Sequence, residues 1–352
     1  MRRRDFLRTS GIAAAALGAS KAAGAAVRIA KPAIVSNPLH LALCSPWPRG
    51  RGGYPDRAGD FVRALQLAAG PGLRVRTLEH AASGIDCVTT GAADMCLGPA
   101  QDNVAHHPAL GFFAGLPGHS SMSPDALRAW IAEGGGQLLL DEMSARFGVK
   151  CLLAGHSGPT PGFWSTRRIV SLADFSGQQI YAAGLAREVV RGLGATPAMA
   201  QAGDVAAQLA RSEIFAAEWG GLTHSLAAGF PAVAKFYSTT AIALQGSALA
   251  LTIRRSVWDG MERSLQEAIA HVATQHMIRS VLDASASHDI MRRALAETLQ
   301  IEFVALPADT AAAINRISGA IVADAATKDE LSARINRSYL DFAGGHPEWR
   351  NN

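Results

Sequence analysis

The chain has 352 residues, with 33 Lys plus Arg against 29 Asp plus Glu, and hydrophobic residues make up 49% of it. That length is more than one core usually fills, so two domains are expected. The small charge excess offers no clustered basic face, which excludes a nucleic-acid footprint.

The N-terminus carries Arg3 and Arg4, followed by an apolar stretch over residues 11–19 and small residues at Ala23, Gly24 and Ala25. A basic start, an apolar middle and a small-residue end are the parts of an export signal, here over residues 1–25. The apolar middle is too short to span a bilayer comfortably. Twin-arginine signals carry proteins that fold before export, so a bacterial periplasm is the expected location. Residues 1–25 hold five basic groups and one acid, so the remaining chain of about 327 residues has 28 of each sign and no net charge.

Residues 39–44 read as an apolar strand running into Ser45, Pro46, Trp47 and Pro48. Residues 56–69 have the 3.6-residue period of a helix through Phe61, Leu65 and Ala68. Residues 73–78 alternate as a second strand, 85–90 form a short helix, and 93–97 form a third, buried strand that ends near Gln101. Strand and helix thus alternate through the first hundred exported residues. Adjacent His106 and His107 read as a polar loop, since neighbouring residues rarely offer both rings to one ion. Residues 126–147 read as a long amphipathic helix interrupted by Gly134, Gly135 and Gly136, and 149–154 as another buried strand.

A Gly/Pro-rich loop then carries Phe163 and Trp164, either toward a cleft or into a buried hinge. Residues 176–221 read as strand, glycine turn, helix, strand, helix and a short apolar run. The strands lie at 180–181 and from 198–199, the helices at 184–193 and 204–211, and the run ends at Glu218 and Trp219. This pitch predicts a parallel α/β layer with its ligand at the strand carboxyl ends, near Tyr181 and Trp219. An apolar strand at 241–251, a helical region at 257–296 and a strand at 301–306 complete the pattern. Cys44, Cys96 and Cys151 lie in apolar runs and read as small buried side chains. The four cysteines show no CxxC pair, and a disulfide is permitted by the compartment without being required.

The order of these features resembles the extracytoplasmic solute receptors of tripartite ATP-independent periplasmic (TRAP) transporters, the DctP-type family, nearest its 2-oxo acid and carboxylate branch. The resemblance covers nearly the whole exported chain. It rests on Ser45-Pro46-Trp47-Pro48, on residues 88–95 (VTTGAADM), on residues 107–113 (HPALGFF) and on Gly162-Phe163-Trp164. It continues through residues 184–189, 193–197, 216–219 and 229–237. It implies an α/β fold with two domains of the type II periplasmic-binding kind, a hinged cleft and a long connecting helix. The domains would comprise residues 26–152 plus about 242–275, and residues 153–241 plus about 276–345. It also implies membrane subunits of a transporter as partners, closure of the cleft on a small ligand, no cofactor, and a monomer or homodimer.

The site departs from what the resemblance implies. Tyr181 stands where similar receptors place an arginine whose fork grips the ligand carboxylate. Thr160 and Gln245 stand where the branch places a glutamine and a glutamate that help hold a cation. Only Trp219 and Gln245 would remain to hold one. Gln101 and Asp102 replace tyrosines, while Trp164 and Trp219 remain as aromatic walls. Glu218 offers a buried acceptor, and Arg187 reads as a solvated charge on an outer helix face. The expected ligand is therefore a neutral, hydroxylated or partly aromatic molecule held by Trp164, Tyr181, Trp219, Thr160, Glu218, Gln245, Gln101 and Arg187. Two rival readings remain: a receptor that has lost its ligand and serves a sensory or protein-interaction role, and an enzyme using His156, Ser157 and Asp174. The enzyme reading lacks a GxSxG elbow or paired carboxylates.

Overall fold

A computed structural model describes residues 38–46, 57–79, 84–158, 162–200, 202–242 and 246–345. The expected export signal, Trp47, Thr160 and Gln245 lie outside the described residues. Among those that are described, no helix is long and apolar enough to cross a membrane.

The alternation expected near the start is present as β1 (Leu39–Ser45), α1 (Arg57–Ala69), β2 (Leu73–Glu79), α2 (Gly84–Thr89) and β3 (Met95–Pro99). β1 pairs in parallel with β2 from Leu39↔Leu73 to Ser45↔Glu79, and with β3 at Leu43↔Met95 and Cys44↔Cys96. Short helices α3 (Gly111–Ala114), α4 (Pro124–Ala132) and α5 (Gly136–Ala145) lead to β4 (Val149–His156).

Alternate residues of each strand serve opposite faces, which explains why these strands are apolar throughout. Leu41, Leu43, Met95 and Leu97 pack with Phe61 and Leu65 of α1 on one face. Ala42, Cys44 and Cys96 pack with Ile85, Phe112 and Trp130 on the other. Phe61 and Leu65 are wholly buried, and burial of each such side chain stabilises by about 1.5–3 kcal/mol. Cys44, expected only as a small buried side chain, is buried and also disulfide-bonded to Cys87. The partners are 43 residues apart in sequence, so no local spacing announces the bond.

The helix expected over 126–147 is two helices, α4 and α5. Gly135 takes a left-handed φ of +80° between them, a conformation that glycine adopts without the penalty a Cβ brings. A Cβ at Gly134 would come within 2.6 Å of the Phe342 ring, so the break also lets the C-terminal region approach. Ser123 caps α4 by accepting from the Ala126 N–H at 3.2 Å, ahead of Pro124 at the first helical position.

The second sheet comes from β5 (Phe163–Ser165), β6 (Gln179–Tyr181), α6 (Ala186–Gly192), β7 (Thr196–Pro197), α7 (Val205–Ala210), β8 (Ala216–Ala217), α8 (Leu222–Ala227), α9 (Phe230–Val233) and β9 (Phe236–Ser238). β6 pairs in parallel with β7 and β8, as the pitch of residues 176–221 predicts. The strand expected at 198–199 lies two residues earlier. Pairing ends when the Ala198 N–H donates to Ile180 O at 2.8 Å, and Met199 is left exposed. β5 joins antiparallel to β8 and β9.

The chain then returns to the first sheet as β10 (Ala248–Arg254), antiparallel between β3 and β4. This strand starts later than the expected residue 241, because Gly246 turns the chain with φ +107° just before it. α10 (Arg255–Asp259) and α11 (Arg263–Glu297) make up the helical region expected at 257–296. α11 connects the two layers: Ile269, Val272 and Ala273 lie in the first sheet's core, and Leu295 lies in the second's.

β11 (Glu302–Val304) pairs with β9, giving sheet orders β2-β1-β3-β10-β4 and β11-β9-β5-β8-β6-β7. α12 (Ala308–Ala326) and α13 (Glu330–Gly345) close the chain. Leu331, Ile335 and Tyr339 of α13 pack in the first sheet's core, although their sequence position suggested the second domain. There the Met122 N–H donates to the Tyr339 hydroxyl at 2.6 Å, and that hydroxyl faces Ser120 O at 3.3 Å. Tyr339→Phe should leave the Met122 amide unpaired and cost about 1–3 kcal/mol. A denaturant unfolding curve reads this loss, and an unchanged midpoint and slope would show that the bond does not anchor α13.

Candidate functional site

The parallel pairing of β6 with β8 decides which side chains meet. Tyr181 is in register with Ala217, and the Glu218 N–H donates to Tyr181 O at 2.9 Å. Glu218 and Trp219 therefore leave β8 directly beside the end of β6, and the rings of Tyr181 and Trp219 lie 5.7 Å apart. Both strands present their carboxyl ends here, which is where open α/β layers bind ligands.

The first layer reaches the same place through Gln101, which follows β3 in a 3-10 turn over Ala100–Ala105. Gly184, between β6 and α6, makes this approach possible. It has φ +55°, and a Cβ there would lie 3.2 Å from the Gln101 side chain. Gln101, Asp102, Tyr181 and Arg187 line one groove of about 900 Å³, a volume typical of small-ligand pockets. The guanidinium of Arg187, expected to be a solvated charge, lies at this groove and donates to Met199 Sδ at 2.7 Å. The charged lining residues are Asp102, Glu188 and Asp324 against Arg187, Arg191 and Lys328, so the groove carries no excess of either sign. Burial, with a smaller push from Asp102 that Arg187 opposes, moves the Tyr181 phenol up to about 12. Tyr181 is thus a neutral hydroxyl at physiological pH.

Trp164 is placed differently from the ligand wall expected of it. It is fully buried in the second sheet's core, 5.0 Å from Tyr237 by ring centroids. Phe230 packs against both indoles, at 6.1 Å from Trp164 and 5.2 Å from Trp219. The indole N–H groups of Trp164 and Trp219 and the hydroxyl of Tyr237 find no hydrogen-bond partner among the described residues. Glu218 is buried near them. Burial first, and then the Glu218 carboxylate, holds the Tyr237 phenol well above its ordinary range. Sequence reasoning did not single out Phe230 or Tyr237 for the site, although both lie in the 229–237 stretch that carried part of the resemblance.

The described neighbours of Thr160 and Gln245 come together. The Ser157 N–H donates to Ser247 O at 2.8 Å, and the Ser247 N–H donates to the Ser157 hydroxyl at 2.9 Å. Ser157 is thereby held in a loop-to-loop contact. Asp174 instead caps the turn at Ser171 and pairs with Arg167 at 2.9 Å, so the Ser157, His156 and Asp174 set is not drawn into one arrangement. His106 and His107 face different acids, Asp86 at 3.1 Å and Asp329 at 3.5 Å.

Gly184→Ala tests the approach of the two layers. An alanine held at φ +55° should cost about 1–2 kcal/mol, and its methyl group should press on Gln101. A lower melting temperature together with weaker ligand response is expected. Unchanged values for both would show that the turn tolerates a side chain.

A profile of the DctP family, described as bacterial extracellular solute-binding protein, family 7, matches residues 77–329. The monocarboxylate 2-oxoacid-binding periplasmic protein of Nostoc sp. is 24% identical over 283 residues, covering 76% of this chain and 73% of that protein. A TRAP periplasmic solute-binding protein from Colwellia psychrerythraea, solved with bound calcium and pyruvate, superposes with a TM-score of 0.81 at 20% identity, covering 89% of this chain and 96% of that one. A second from Bordetella bronchiseptica, with copurified calcium and picolinate, gives 0.81 at 20% identity, covering 89% and 94%. The extent of the family match settles the relationship: the chain belongs to the DctP family of bacterial extracellular solute-binding proteins.

Proposed function

We propose that the chain is the periplasmic substrate-binding subunit of a TRAP transporter, exported by the twin-arginine pathway. In this reading it captures a small, neutral, hydroxylated or partly aromatic solute rather than a 2-oxo acid. The observation that carries this reading is the neutral Tyr181 phenol at the carboxyl end of β6, in a groove whose charges balance. An arginine at that place would grip a carboxylate with two charge-assisted bonds. Its absence from a desolvated carboxylate site typically costs about 2–5 kcal/mol, or roughly two to four decades of affinity. The Colwellia psychrerythraea and Bordetella bronchiseptica proteins were solved with calcium beside pyruvate and picolinate, and here Thr160 and Gln245 would offer a bound cation no anionic ligand.

The groove's volume supports ligand capture over the reading in which the receptor has lost its ligand. Capture proceeds by closing the two layers on the solute about α11 and the crossing strands, which presents one closed surface to the membrane subunits. The solute leaves chemically unchanged, so the chain is a receptor and carries no catalytic residues.

A thermal-shift panel tests this reading. Neutral polyols, hydroxylated aromatics and their relatives should raise the melting temperature; at 100 times the dissociation constant a ligand adds about 2.7 kcal/mol. Pyruvate and longer 2-oxo acids should shift it little, with or without calcium. Tyr181→Arg should gain a response to 2-oxo acids. Strong stabilisation of the wild-type protein by an oxo acid would contradict the reading.

A further inference from the structure

Three of the four cysteines meet beneath the first sheet. Cys44 and Cys96 are register partners on the adjacent parallel strands β1 and β3, so their side chains leave the same face about 4.8 Å apart. Cys87 comes from α2, which packs on that face through Ile85 and Val88. The three Sγ atoms all lie within 4.8 Å of one another, and all three residues are wholly buried. The Gly84 N–H donates to Cys96 Sγ at 3.2 Å. Cys44 and Cys87 are joined as a disulfide, and Cys96 stands beside that bond without being part of it.

A structural disulfide uses two sulfurs and has no need of a third beside it. Three sulfurs with no imidazole or carboxylate among them form a soft donor set, suited to thiophilic cations. Structural zinc sites take four ligands, whereas this group offers three among the described residues. Its surroundings are apolar, with Ala42, Ile85 and Val88 in the same core, so water is poorly placed to complete a tetrahedron.

We propose that Cys44, Cys87 and Cys96 form a redox-gated site for one soft monovalent cation, copper(I). A dithiol reductant delivers two electrons and two protons to the Cys44–Cys87 disulfide and is itself oxidised to a disulfide. The cation then displaces thiol protons to solvent, so affinity rises with pH. A disulfide oxidant takes up two electrons from Cys44 and Cys87 and is itself reduced to two thiols; the Cys44–Cys87 bond re-forms and the ion is expelled. The site lies in the first layer, and its case is independent of which solute the groove takes.

The test uses the full chain, reduced by a phosphine without oxygen, freed of reductant and titrated with copper(I) held by a chromogenic chelator. One copper per chain should bind with a thiolate-to-copper absorption band, and the disulfide form should take none. Cys96→Ser should weaken binding by at least about 100-fold, beyond the ~10–100-fold typical of losing an outer-shell partner. Cys44→Ser should show the same loss and provides the reading if Cys96→Ser does not fold. Cys151→Ser should match the wild type, since Cys151 lies outside the group. Three results would each overturn the proposal: loss of the circular-dichroism signature of the folded chain on reduction, wild-type copper binding by both Cys96→Ser and Cys44→Ser, or binding of zinc but not copper(I).

Discussion

The hydrogen bond from the Glu218 N–H to the Tyr181 carbonyl, with the parallel β6–β8 register behind it, is the constraint from which the site follows. It places a carboxylate, an indole and a phenol at one strand end. The two short strands could not hold that arrangement alone. They are backed by Phe230 and Tyr237, whose rings fill the space around Trp164 and Trp219. On the other side Gly184 lets the β6–α6 turn come against Gln101, so a side chain from the first layer shares the groove.

Electrostatics then narrows what the groove can select. Acidic and basic side chains balance around it, and one of the groups that line it is a phenol that keeps its proton. In the proposed reading, such a site discriminates by hydrogen bonding and shape rather than by charge. The buried donors of Trp164, Trp219 and Tyr237 near Glu218 form a second polar zone deeper in the same layer. The similarity to solved receptors establishes the scaffold.

Much of the fold was legible in the sequence because its signals are local. The period of Phe61 and Leu65 marked α1, and apolar runs marked β1, β3 and β4. The glycine turn after Tyr181 separated β6 from α6. What was not legible depends on distant partners. Cys44 met Cys87 only because α2 lies over the first sheet, and α13 joined that sheet's core through Tyr339 and Ile335. β7 moved to Thr196 because pairing with β6, rather than apolar content, sets its place. The location of Tyr181, Gln101 and the Glu218–Trp219 pair just at or after strand ends was legible from the apolar runs that precede them. The burial of Trp164 in the second sheet's core was not, since that depends on Phe230 and Tyr237 packing around it.

Native mass spectrometry of the protein purified without denaturation tests the central claim most directly, because it weighs whatever solute the site retains. The account predicts one small neutral organic molecule per chain, lost on unfolding and retained less well by Tyr181→Ala. A retained 2-oxo acid or other carboxylate, accompanied by a divalent cation, would contradict it.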